Sequence, residues 1–144
     1  MYFVIRTIGS AGPHIADHII LYYRRATFVS MPLRLKRIQE PVAAADGFRM
    51  LVDRLWPRGF SKERAHLDEW NRVLPPSNAL RQDFHAGRLD FKAFSAAYRQ
   101  ELRGHAEELD RVREMAADGT VTLLYASANA EENHARVLLA ALMG

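Results

Sequence analysis

The stretch "DRLWPRG" (53–59) sets Asp53 and two arginines, Arg54 and Arg58, directly after the apolar run "FRMLV". A guanidinium is a planar fork of donors that matches a carboxylate or a phosphate, and Pro57 would fix the backbone carrying Arg58. That chemistry is anion binding. The plainer alternative pairs Arg54 and Arg58 with acidic neighbours such as Asp68 or Glu69 while Trp56 covers the core. A second cluster, "YASANAEENHA" (125–135), offers Tyr125, Ser127 and Asn129 alternating outward into a loop, then Asn133 and His134 in the first turns of a helix. A helix start presents unpaired N–H groups that favour anions, although Glu131 and Glu132 oppose one unless they face away. The alternative here is capping alone, with Asn129 and Glu132 as a capping box and His134 as a packed residue. Finally, His85 follows Arg81 by one helical turn, so the two could meet one ligand. A histidine titrates near neutrality, which makes His85 the candidate for catalytic proton transfer, against the reading of a solvated surface histidine.

Other chemistries lack their residues. The chain has no cysteine, which excludes disulfides, thiolate zinc sites and cysteine nucleophiles, and fits a reducing, cytoplasmic setting. "EENHA" lacks a second histidine at a metal-binding offset, so no metal site is expected. Ser127 has no glycine elbow around it, and neither a dinucleotide fingerprint nor a phosphate-cradling loop occurs, so no cofactor is implied by motif. The net charge of +3 is uneven: residues 1–30 hold Arg6, Arg24 and Arg25 against Asp17, while the rest of the chain is nearly balanced. A nucleic-acid stripe needs more than "RLKR", which leaves nucleic acid the least supported partner. The longest apolar run near the start, "IILYY", is far short of the roughly 20 residues of a membrane span, so no membrane association is expected.

These residues need elements to position them. With 144 residues and 49% hydrophobic content, the chain suits one compact domain. Residues 1–30 show no sustained period and read as an N-terminal extension outside the core, with Met31 as the start; a short docking arm is the alternative. "LRLKRI" alternates into a first strand, and "FRMLVDRLW" makes a second that Pro57 and Gly59 end. "AHLDEWNRVL" fits either helical spacing or a short edge strand. Ser77 is placed to cap a short helix through Leu80 and Phe84. Asp90 caps a long amphipathic one that kinks or breaks around Gly104. "GTVTLLYASAN" is the cleanest buried strand, and a last helix runs from about Ala130 to Met143. Strands mixed with long helices predict an α/β fold: residues 31–144 as a single small domain with a short, mostly parallel sheet flanked by helices. In such sheets ligands sit beyond the carboxyl ends of the strands. Parallel strands would put both polar clusters on one rim, and this convergence is the argument for a site there.

In this order, "DGFRMLVDRLWPRG", "LDEW", "PPSNALRQDFH", "YRQEL" and "TLLYASANAEENHA" resemble domain-of-unknown-function family 488, in its YeaO-like branch, over about residues 34–143. The positions that match the family's pattern include Asp53, Arg54, Trp56, Pro57, Arg58, Gly59, Trp70, Ser77, Arg81, His85, Tyr98, Tyr125, Asn129, Asn133 and His134. The resemblance implies a small protein of bacterial type and no established activity. Where the family often reads "LLYSAK", this chain has "LLYASA", which removes one cation from the rim. The expectation is an enzyme-like domain that binds a small polar or anionic metabolite at the strand rim. Arg54 and Arg58 would hold the anion, and Asn129 or Asn133 would orient it. The alternative is a non-catalytic binding or regulatory module using the same rim.

Overall fold

The computed structural model describes residues 32–144; the reading of residues 1–30 as an extension, with Met31 as the start, lies outside them. Four strands form one wholly parallel sheet in the order β1-β4-β2-β3: β1 (Leu33–Arg37), β2 (Phe48–Leu51), β3 (Glu69–Trp70) and β4 (Val121–Tyr125). Five helices accompany it: α1 (Lys62–Ala65), α2 (Asn78–His85), α3 (Phe91–Arg103), α4 (Ala106–Asp118) and α5 (His134–Met143). The fold is therefore the single small α/β domain expected. The stretch that fitted helix or strand supplies the short edge strand β3. Ser77 and Asp90 cap α2 and α3 as their types dictate, each accepting a backbone N–H three residues on. The long amphipathic pattern breaks at Gly104 into two helices. Among the described residues no helix is long and apolar enough to cross a membrane.

Side chains alternate across a strand, so the sheet has two distinct faces. Leu33, Met50, Val52, Val121, Leu123 and Tyr125 point to one, where they bury against Phe94, Tyr98 and Leu102 of α3, Val112 of α4 and Leu138 of α5. Ile38, Leu51 and Leu124 point to the other and pack with Ala65, Trp56, Phe60 and Trp70 from the segment after β2. β4 lies between two strands, and all five of its residues are buried.

The link from β1 to β2 must cross β4, and residues 38–47 are too few for the usual helical crossover of a dozen or more residues. It crosses instead with a short 3-10 turn, Ala44–Asp46. The side chains beneath it are polar. Asp46 pairs with Lys36 of β1 and with Arg49 of β2, and its backbone carbonyl accepts the hydroxyl of Thr122 at 2.6 Å. Arg49 also donates to the carbonyls of Ala65 and His66, at 2.9 and 3.1 Å, which ties α1 to the same face. Burial pushes the Asp46 carboxyl up, but the N–H of Ala43 and the two cations outweigh it and hold the pKa below the ordinary 3.8. Beside it, Gly47 takes φ 61°, and a Cβ there would sit 2.3 Å from the carbonyl oxygen of Thr120.

Two outcomes follow for stability. Gly47→Ala combines left-handed strain with a backbone collision and is expected to lose at least about 2 kcal/mol in urea unfolding. Gly87→Ala, also at positive φ but with open space around its Cβ, is expected to lose less. Asp46→Asn leaves a buried guanidinium without its anion and is expected to lose about 3 kcal/mol at neutral pH. The folded pKa of Asp46 lies below the unfolded one. Its contribution is therefore whole above pH 3.8 and lost as pH falls through the folded value. Acid titration of stability should accordingly be shallower in Asp46→Asn than in the wild type.

Candidate functional site

The rim is built from the end of β2. Pairing continues one residue past the strand, with the N–H of Val52 donating to Leu124 at 3.0 Å, and then the chain turns. Asp53 is the joint. Its Oδ2 accepts the N–H of Ala126 at 3.1 Å, its Oδ1 lies 3.0 Å from Nε2 of His134, and its carbonyl accepts the indole N–H of Trp70 at 2.8 Å. Nε2 of His134 also meets the carbonyl of Val52 at 2.9 Å. Both of its neighbours can only accept, so Nε2 carries a proton. One carboxylate thus joins the ends of β2 and β4 to the first residue of α5.

Arg54 is equally committed. Its Nε and Nη2 donate to the carbonyls of Pro76 and Pro75, at 2.6 and 2.9 Å. This holds the "PPS" segment that enters α2, and neither of the acidic partners considered for it takes part. Asp68 instead accepts the N–H of Arg49, and Glu69 pairs with Arg111. The same segment is fixed from below by the buried Tyr98, whose hydroxyl donates to the carbonyl of Leu74 at 2.7 Å. Burial, above all, pushes that phenol up, so it stays protonated.

Between these segments lies a cavity of about 380 Å³. Asp53, Arg54, Arg81, His85, Ser127, Asn133 and His134 all line it, so both halves of the sequence argument meet at one rim. Three residues of the expected set lie elsewhere. Arg58 is exposed in the turn with Gly59 and does not reach the lining. Tyr125 does not point outward; it is buried in the helical face of the sheet. Asn129 closes the loop, with its Oδ1 accepting the N–H groups of Glu131 and Glu132, both at 2.9 Å. The capping box expected there is absent, because α5 begins later. Its cap is Asn133, whose Oδ1 accepts the N–H of Arg136 at 3.0 Å while its Nδ2 donates to the carbonyl of Asn129.

The apolar walls went unread in the sequence. Phe84 and Phe94 line the cavity with ring centroids 4.4 Å apart, and Leu55, Trp56, Pro57 and Pro76 complete it. Phe84 and Phe94 both fall at helical spacing, where an apolar face reads as core, and Leu55 between Arg54 and Trp56 gives no signal of its own.

Arg81 differs from its neighbours. Among the described residues its guanidinium has no ion pair, and its Nε is buried with no hydrogen-bond partner. His85, one turn further along α2, is exposed at the edge of the same cavity. Among the described residues no three His, Asp or Glu side chains converge as a metal site would need.

A family model described as the inactive DUF488-N3 subclade matches residues 32–144. The chain belongs to this family. Its resemblance to domain-of-unknown-function family 488 is thereby shown. The uncharacterized protein YeaO of Escherichia coli K12 is 43% identical over 108 residues, covering 75% of this chain and 94% of YeaO. The uncharacterized protein Rv3073c of Mycobacterium tuberculosis is 33% identical over 112 residues, covering 78% of this chain and 94% of that protein. No solved structure matches.

The two conspicuous groups of "DRLWPRG" should separate on substitution. Asp53→Ala strands the N–H of Ala126 and removes the carboxylate beside Nε2 of His134, and is expected to lose about 1–3 kcal/mol in chemical denaturation. Arg58→Ala removes an exposed side chain and should stay within about 0.5 kcal/mol of the wild type. Equal losses in the two variants would contradict this assignment.

Proposed function

We propose that this DUF488-N3i domain is a non-catalytic module that binds a small anionic ligand in the rim cavity. One observation carries the reading. Arg81 keeps a cation on the lining with its Nε withdrawn from water and no ion pair among the described residues. A buried N–H donor without a partner is unfavourable, and an anion entering the cavity could accept from it. The remaining polar groups of the lining support binding over turnover. Asp53, Arg54, Asn133 and His134 are spent on backbone contacts or on each other, which makes a rigid frame and leaves few groups to move protons. The description of the family as an inactive subclade points the same way. A catalytic reading would rest on His85 alone, without an orienting partner among the described residues.

The test is thermal stability against a panel of inorganic anions, organic acids, sugar phosphates and nucleotides. A ligand present at about 100 times its Kd should raise stability by about 2.7 kcal/mol. Arg81→Gln should keep the unliganded stability and lose that shift. A shift that survives Arg81→Gln would remove the anion site from this rim.

A further inference from the structure

We infer that the rim cavity is shaped for an aromatic monocarboxylate: one planar anionic head on an apolar ring. This rests on the anion reading above and adds the charge and the body of the ligand to it.

The charge follows from the lining as a whole. Arg54 and Arg81 bring two cations, and Asp53 and Glu132 bring two carboxylates to the same space. Such a balanced wall has no net field to hold a phosphate dianion or a polyphosphate, and its carboxylates repel one. A single negative charge needs only one directed partner. The Arg54 guanidinium already donates through Nε and Nη2 to the carbonyls of Pro76 and Pro75. Arg81 has no such partner among the described residues. A carboxylate is the monoanion whose planar geometry suits a guanidinium best.

The body follows from the remaining walls. Phe84 and Phe94 are stacked at 4.4 Å with their planes 25° apart, and both face the same cavity as Arg81. Leu55 borders that cavity with 55% of its surface exposed, more than most large apolar residues of the domain keep. A lone exposed leucine on open surface needs no explanation, but one at a cavity edge is surface that an apolar ligand would cover. Aromatic walls favour a ring over a flexible chain, because offset or edge-on stacking adds to simple burial and a ring loses no torsional freedom. At about 380 Å³ the space is near the small end of ligand pockets, suited to one ring with a short substituent.

Calorimetric titration of the full chain with benzoate, acetate, inorganic phosphate and benzamide tests the inference. Benzoate should bind at least about ten-fold tighter than acetate or phosphate, and neutral benzamide should lose about ten-fold or more with the charge-assisted bond. Arg81→Gln should weaken benzoate by a similar factor while melting as the wild type does. Leu55→Ser, an exposed change that leaves the fold untouched, should weaken it a few-fold. Acetate or phosphate binding as tightly as benzoate, and depending on Arg81, would overturn the aromatic body and leave the anion site standing. Benzoate and benzamide binding alike, with no effect of Arg81→Gln, would overturn both. Absence of benzoate binding at millimolar concentrations to folded wild type would overturn this inference, and the wider anion panel then decides the reading beneath it.

Discussion

Asp46 reaches across the central strand. Its carboxylate bonds Lys36 on one side of β4 and Arg49 on the other, and its carbonyl takes the hydroxyl of Thr122 in β4 itself. The order β1-β4-β2 forces ten residues to do the work of a crossover helix, and so short a link cannot lay an apolar stripe on the sheet. A charge cluster covers that face instead. Buried ion pairs are weak sources of net stability, but breaking one leaves an uncompensated charge, so they penalise alternatives strongly. The cluster therefore acts on specificity: another register of β2 against β4 would separate Asp46 from at least one of its partners. Gly47 adds a steric condition at the same place, since only a missing side chain lets the chain turn against Thr120.

From that register the rim follows. With Leu51 opposite Leu124, the residues just beyond them, Asp53 and Ala126, come within hydrogen-bond distance, and His134 closes the arrangement from α5. The polar groups nearest the strand ends are therefore structural. What they frame is a cavity whose one cation without a partner among the described residues comes from a helix, not from the sheet.

This explains how far the sequence could be read. The strands, the caps at Ser77 and Asp90 and the break at Gly104 were legible, because alternation, helical spacing and cap chemistry are local. The rim was legible too, as two polar strand ends in a parallel sheet. The roles of individual arginines were not. Arg54, Arg58 and Arg81 are the same residue type near the same site. One meets carbonyls more than twenty residues away, one meets solvent and one meets nothing among the described residues. Which arginine holds an anion is decided by which lacks a partner, and absence of a partner leaves no mark on a sequence. Asn129 and Asn133 pose the same problem. Either can cap a helix, and the choice falls to Asn133 because Asn129 is used to fold the loop.

The position of β4 also bears on how the domain is made. It is the last strand in the chain and the one that joins β1 to β2, which do not pair with each other. During synthesis β1 and β2 emerge with their inner edges unpaired, and they stay so until about seventy further residues have left the ribosome. The sheet cannot grow in the order in which it is translated. Until then a nascent chain presents two unpaired edges of backbone N–H and C=O groups to whatever else is nearby, and the entropy of closing the loop between β2 and β4 must be met before the sheet can form.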